Sequence, residues 1–185
     1  FSELWSGIEN CQFTGTFPNR MNMKKDMTDA NSLEQDVKSL IQDMARPLVP
    51  DWGLVKVVDD PNKTGGGIIV SITPACSSAA RIVAHIENGV GVDLIFGEGS
   101  VYEVPVNRRY YSNLSCLEEV RMLCTAVIDG DFEETVWVKG ETVVQSIGKI
   151  KIGDKTVPSY WRELFTNPFL KKERKHFKYT SYHGE

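Results

Sequence analysis

Four carboxylates crowd into a stretch of six residues, at Asp129, Asp131, Glu133 and Glu134. Carboxylate oxygens can ligate divalent cations, but these four lack the spacing, the turn glycine and the closing glutamate of a calcium-binding loop, so we expect no metal here. These carboxylates lie at the end of a predicted helix and just after it, and negative charge at the C-terminal end of a helix is unfavourable for its stability. A cluster that persists despite this destabilisation suggests a functional role. We therefore predict that this acidic cluster binds a protein partner, with Trp137 and Tyr102 as aromatic anchors.

A histidine and an aspartate in the middle of the chain are of catalytic type. The dipeptide Asn88-Gly89 predicts a two-residue turn, in which His85 lies opposite Val92 and Asp93 projects from the other face of the ribbon. The pair is therefore not expected to form a dyad. No serine lies in a G-x-S-x-G elbow that would supply a nucleophile.

Two loops also contain residues that can do chemistry. Gly65-Gly66-Gly67 lacks the Lys-Ser/Thr ending of a phosphate-binding loop, so it predicts a hairpin turn. Cys76, in a loop with Ser77 and Ser78, is the thiol to test for reactivity, although no base is visible beside it. We expect no cofactor.

The C-terminal stretch 171–179 contains five cations, one anion and two aromatic residues. Basic residues between rings can hold a phosphate backbone, with bases against the rings. A short basic tail on an acidic chain is a weak signal for this, so we do not expect nucleic acid as a partner. The favoured interpretation is a solvated terminal helix, with Phe177, Tyr179 and Tyr182 docked onto a sheet.

The composition is that of an ordinary globular protein: 185 residues, 41% hydrophobic and 25% charged. The net charge of −4 argues against a protein whose main task is to grip nucleic acid. No apolar run approaches the roughly 20 residues of a membrane-spanning helix, so we expect a soluble protein without membrane contact. Four widely spread cysteines and the lack of a visible secretory signal predict reduced thiols in the cytoplasm, with no zinc site.

Hydrophobic periodicity predicts the elements that would position these residues. A capping box at Ser32 predicts a helix over 32–46, and five short strands follow between 52 and 105. A second capping box at Ser115 predicts a helix over 115–129, closed by Gly130. Strands are predicted at 133–139 and 141–147, and a last helix over 158–170.

This order of elements predicts an α+β fold, in which one twisted antiparallel sheet carries helices packed on one face. Residues 32–170 are expected to form a single domain. Residues 1–31 are expected to be an irregular leader, part of which could be cloning-derived because Met21, Met23 and Met27 could each be an internal start. Residues 171–185 form the basic C-terminal tail.

Two stretches resemble a known family. The sequence 92–105, VDLIFGEGSVYEVP, is similar to the strand, Gly-x-Gly turn and strand of small bacterial immunity proteins of polymorphic toxin systems. The sequence 126–137, AVIDGDFEETVW, resembles the helix-to-strand junction that follows in such proteins. The likeness covers about residues 92–147. It implies a cytoplasmic, non-enzymatic protein that binds and blocks a cognate toxin, often a basic nuclease.

We therefore expect an immunity protein that occludes its toxin with an acidic surface, and not an enzyme. The alternative is an enzyme that binds a small molecule or peptide in an apolar pocket on the face of the sheet. Its polar groups would be His85, Tyr102 or Glu103.

Overall fold

The structure is a computed structural model that describes residues 27–48, 53–59, 67–87, 90–106, 114–162 and 172–183. Its helices are α1 (Met27–Ala45), continued by a 3-10 turn (Arg46–Leu48), and α2 (Cys116–Ile128). Its strands are β1 (Gly53–Asp59), β2 (Gly67–Pro74), β3 (Ile82–Glu87), β4 (Gly91–Phe96), β5 (Ser100–Pro105), β6 (Phe132–Lys139), β7 (Thr142–Ile152), β8 (Lys155–Arg162) and β9 (Glu173–Lys178).

Strands β1 to β5 form sheet A, an antiparallel meander in which each strand pairs with the next. This confirms the five short antiparallel strands predicted between residues 52 and 105. Ile82, Ala84 and Ile86 alternate along β3 and are each at most 1% exposed, so they mark the face that is turned to the core. Both helices contact sheet A and each other, and the core face is the one they cover.

The register between β3 and β4 differs from the prediction by one residue. Glu87 pairs with Gly91, and His85 therefore stands directly opposite Asp93, not Val92. Three residues separate the two strands where a two-residue turn was expected, and a shift of one residue exchanges the faces of a strand. The predicted Asn88-Gly89 turn itself lies outside the described residues.

The chain forms two sheets, where one was predicted. After α2, strands β6 to β9 pair among themselves as sheet B, in the order β8-β7-β6-β9. In the sequence, α2 lies between the strands of sheet A and those of sheet B. In space the two sheets are in contact, because β5 packs against β7 and β8. The α+β class is confirmed.

Two helices were predicted near the C-terminus, over 158–170 and in the terminal stretch 171–179. Both predictions are wrong where the structure describes these residues. Residues 155–162 form β8, in which Val157 and Ser159 are buried and Pro158 and Tyr160 are exposed, a period of two. Pro158 is tolerated because β8 is an edge strand. The expected terminal helix is strand β9 of sheet B, although Tyr179 and Tyr182 are buried as predicted. Residues 163–171 lie outside the described part of the chain.

The two predicted capping boxes have different outcomes. The box at Ser115 is confirmed, because its side chain accepts from the backbone N–H of Glu118 while the Glu118 carboxylate accepts from the N–H of Ser115. The box at Ser32 is wrong, because α1 already begins at Met27 and Ser32 lies inside it. The expected leader therefore ends by residue 26 at the latest, and residues 1–26 lie outside the described part.

One hydrophobic cluster includes residues from both helices and both sheets. At its centre the ring of Phe132 in sheet B lies 5.8 Å from Phe96 in sheet A and stacks on Tyr179 at 5.2 Å. Aromatic pairs at these distances add stabilisation beyond the area that they bury. No helix in the described part of the chain is both long enough and apolar enough to cross a bilayer.

Candidate functional site

The junction between α2 and β6 positions the first two carboxylates of the acidic cluster. The N–H of Gly130 bonds to the carbonyl of Val127, and the N–H of Asp131 bonds to that of Ala126, a Schellman end for the helix. Gly130 has φ +87°, as predicted for the residue that ends α2. Asp129 and Asp131 are therefore held on either side of a fixed turn, and both are exposed.

The acidic cluster is not a single patch. Glu133 points outward from β6 and pairs with Lys149 at 3.6 Å, so its charge is locally balanced. Glu134 points the opposite way and is only 1% exposed. Because side chains alternate along a strand, the consecutive carboxylates Glu133 and Glu134 point to opposite faces of β6. The prediction that Glu134 belongs to a partner-binding surface is therefore wrong.

The two predicted aromatic anchors are also separated. Tyr102 is 6% exposed on the core face of sheet A, where it packs on Phe96 at 5.3 Å, so it cannot serve as a surface anchor. Trp137 is partly exposed on the outer face of sheet B, and the Arg174 guanidinium lies 5.8 Å from its ring centre. Partner binding by Asp129, Asp131, Glu133 and Trp137 stays a prediction.

Asp129 and Asp131 lie on the rim of an open groove of about 460 Å3, here called the α2 groove. One wall is the outer side of α2, and the other is the end of β7 with its following turn. Met122, Ala126 and Ile152 supply apolar surface between these walls. The charged lining consists of three carboxylates, Glu118, Asp129 and Asp131, and two cations, Arg121 and Lys151.

Local contacts set the charges along this groove. The backbone N–H of Ser115, together with its hydroxyl, lowers the pKa of Glu118, so that carboxylate remains ionised at neutral pH. Asp129 has His183 Nε2 at 3.9 Å, which is an ion pair only when the imidazole is protonated. The groove can therefore offer carboxylates to a basic ligand over the length of the helix.

Sequence reasoning missed the role of Glu134, which links the two sheets. Its Oε1 accepts from the backbone N–H of Glu98 at 2.6 Å and from the Tyr179 hydroxyl at 2.5 Å, and its Oε2 accepts from the Ser100 hydroxyl at 2.8 Å. Burial raises the pKa of Glu134, and the three hydrogen bonds oppose that effect. The signal was present in the alternation of β6, where Phe132, Glu134 and Val136 share one face.

Two glycines leave room for this carboxylate. Gly97 has φ +60°, and a Cβ there would collide with Glu134 Oε1 and the Tyr179 hydroxyl. Gly148 is the cross-strand partner of Glu134, and a Cβ at Gly148 would meet the Ser100 side chain. Close approach of the two sheets therefore depends on the absence of side chains at both positions.

The residues proposed for an enzymatic pocket do not converge. His85, Asp93 and Glu103 occupy successive cross-strand positions on the outer face of sheet A. Tyr102 projects to the core face of the same sheet. A pocket built from His85, Tyr102 and Glu103 would have to span the sheet.

Cys76 is the described thiol with the greatest tendency to ionise. Its Sγ lies 2.7 Å from the Ser78 hydroxyl, and this hydrogen bond lowers the pKa of the thiol. Burial raises the pKa of Cys116 to about 11 and that of Cys124 to about 12. All three are free cysteines, and Cys11 lies outside the described residues.

Within the described ranges, no group of three or more histidine, cysteine or acidic side chains is arranged to hold a metal ion. In comparisons with known proteins, no family model, no curated protein and no solved structure matches this chain.

Proposed function

We propose that this chain is a non-enzymatic binding protein, an immunity protein that neutralises a cognate bacterial toxin by covering it. The contact surface is the α2 groove, with Asp129 and Asp131 as its main charged residues. The observation that supports the proposal is the position of these two exposed carboxylates on the rim of an open, partly apolar groove. The resemblance over residues 92–147 supplies the class of partner, and the bacterial cytoplasm is the compartment in which such a protein acts.

The groove combines the two contributions that a protein interface needs. Met122, Ala126 and Ile152 offer apolar surface whose burial favours association. Carboxylates at the rim attract a cationic surface over longer distances and accelerate encounter. A nuclease toxin has cationic surface because it must hold phosphate, so it matches this rim.

The two cations in the groove add selectivity. Arg121 and Lys151 stand among the three carboxylates, so a uniformly basic partner would meet repulsion at two points. A partner that offers an acceptor opposite these cations binds without that penalty, and mismatched toxins do not. The mixed charge pattern is therefore suited to one cognate partner.

Growth protection tests the proposal in cells. The toxin domain encoded next to this gene in the source genome is expressed from an inducible promoter, with this chain supplied from a second plasmid. We expect growth arrest without the chain and growth with it. The variant Asp129→Lys/Asp131→Lys should lose protection, because it replaces the rim carboxylates with cations.

A matched control separates charge from position. Asp36→Lys/Asp43→Lys makes the same change in net charge at exposed positions of α1, away from the groove. We expect this control to protect as well as the unaltered chain. The absence of a neighbouring toxin gene, a lack of protection by the unaltered chain, or equal loss of protection in both variants would contradict the proposal.

A further inference from the structure

The outer face of sheet B carries a concentration of positive charge that the sequence hides. Among the described side chains of β6 to β9, alternation places five cations and one carboxylate on this face: Lys139, Lys149, Lys151, Arg174, Lys178 and Glu133. Asp131, just before β6, lies beside Lys151 at the edge of this face. The whole chain has a net charge of −4. The charge of this basic face is therefore opposite in sign to that of the molecule, so an anionic ligand would be drawn to this side.

The basic C-terminal stretch contributes to this face because it is a strand. β9 pairs with β6 and thereby places Arg174, His176 and Lys178 opposite Trp137, Thr135 and Glu133, in that order. His176 Nδ1 lies 3.1 Å from the Thr135 hydroxyl, which helps to fix the side chains along this edge. In the solvated terminal helix that the sequence suggested, these cations would not have been paired with residues of β6.

Exposed rings lie among the cations. Tyr160, on β8, is 61% exposed and is the cross-strand partner of Ile147. Trp137 lies on β6, two strands away, with the Arg174 guanidinium 5.8 Å from its ring centre. From the usual strand spacing and rise, the Cα atoms of Tyr160 and Trp137 are about 12 Å apart. That spacing leaves room for about two nucleotides of an extended strand.

We propose that the basic face of sheet B binds single-stranded nucleic acid. Arg174 and Lys178 contact phosphates, Lys149 lies beside them in its ion pair with Glu133, and the Tyr160 ring stacks on an unpaired base. A sheet face with exposed rings selects for single strands, because the faces of bases in a duplex are already stacked. Lys151 is shared with the α2 groove, and the remaining cations of the face lie outside it.

Truncation is a poor test of this surface. Tyr179 and Tyr182, which follow β9, are at most 7% exposed and belong to the core, so removal of the C-terminal segment would unfold the chain. Point substitutions at exposed side chains avoid this difficulty. The variant Arg174→Gln/Lys178→Gln removes two cations from the basic face, and Tyr160→Ala removes the exposed ring.

The control variant is Lys175→Gln/Arg46→Gln, which also removes two cations. Lys175 lies on β9 between the two test positions but projects to the opposite side of sheet B, and Arg46 is in the turn after α1. Both side chains are exposed. Because each variant loses two cations, the control and the test variant have the same net charge. The control also breaks the exposed ion pairs of Lys175 with Glu173 and of Arg46 with Asp43, which contribute little to stability.

Fluorescence anisotropy of a labelled 20-nucleotide uridine strand, measured over a range of salt concentrations, tests the proposal. We expect salt-sensitive binding by the unaltered chain and about tenfold weaker binding by Tyr160→Ala. Arg174→Gln/Lys178→Gln should weaken binding and lower the salt slope by about 1.4, whereas the control should change neither. A labelled duplex of equal length should bind more weakly than the single strand.

Three results would overturn the proposal: no binding of the uridine strand at low salt, equal weakening by the control, or an unchanged affinity for Tyr160→Ala together with equal binding of the duplex. The last result would mean attraction to any polyanion. Circular dichroism of each variant confirms that the fold is retained before its affinity is compared.

Discussion

The Tyr179 hydroxyl lies 2.5 Å from Oε1 of Glu134 and donates a hydrogen bond to it in the interior. Glu134 belongs to β6, and Tyr179 immediately follows β9. The same carboxylate accepts from Glu98 and Ser100 of sheet A, so one side chain joins the C-terminal segment and both sheets. This network holds the framework on which the α2–β6 junction rests.

Replacing Glu134 should show the value of these three hydrogen bonds. Glu134→Ala leaves two buried donors and one half-buried donor without an acceptor, and we expect a loss of about 2–4 kcal/mol in the free energy of unfolding. Glu134→Gln keeps Oε1 as an acceptor, so its loss should be smaller. Urea denaturation monitored by tryptophan fluorescence measures both. Equal losses in the two variants would show that the carbonyl oxygen contributes little.

The stability of the chain should depend on pH through Glu134. Burial raises the pKa of this carboxyl above its ordinary value of 4.5, so the folded state binds its proton more tightly than the unfolded state. The resulting stabilisation is fully present below pH 4.5 and is lost as the pH rises through the raised pKa. We expect the stability of the unaltered chain, relative to Glu134→Gln, to fall as the pH rises above 4.5. A relative stability that rises with pH would contradict the assignment.

Alanine at Gly97 should cost more than alanine at another glycine of the same conformation. Gly97 and Gly140 have φ of +60° and +59°, but a Cβ at Gly140 meets nothing within 4 Å, whereas one at Gly97 collides with Glu134. Gly140→Ala should therefore lose about 1 kcal/mol from backbone strain alone. Gly97→Ala should lose clearly more. Similar values from chemical denaturation would mean that the collision is relieved by small movements.

Cys76 should react with iodoacetamide faster than Cys116 or Cys124 at pH 8. The Ser78 hydrogen bond lowers the pKa of Cys76, and burial raises the pKa values of the other two thiols to about 11 and about 12. Peptide mapping by mass spectrometry gives the rate at each position. Ser78→Ala should slow the reaction at Cys76 and leave the other two unchanged. Faster labelling of Cys124 than of Cys76 would contradict the burial of the Cys124 side chain in the core.

The sequence predicted those parts of the fold that depend on local signals. The capping box at Ser115, the glycine at position 130 and the alternation of the first five strands each determine an element from neighbouring residues. The two C-terminal errors have a different cause. Strands β8 and β9 are stabilised by pairing with β7 and β6, so that long-range pairing outweighs a local pattern that resembles a helix.

The candidate site could be predicted only in part for a similar reason. The positions of Asp129 and Asp131 follow from the end of α2, which the sequence shows. The separation of Glu133 from Glu134 follows from strand alternation, because consecutive residues of β6 project to opposite faces. The cations of β9 joined the face of Trp137 through sheet pairing, which no short stretch of sequence reveals.

Isothermal titration with the proposed partner, a toxin domain encoded beside this gene, tests the proposed role of the α2 groove most directly. We expect Asp129→Lys/Asp131→Lys to bind about 100-fold more weakly than the unaltered chain, with a smaller dependence on salt. Lysine at the end of α2 is favourable for the helix, so this variant should remain folded. The matched variant Asp36→Lys/Asp43→Lys should keep its affinity within about threefold, since exposed charges outside the contact surface contribute little to affinity. An unchanged affinity for the groove variant, or an equal loss in both variants, would contradict the account.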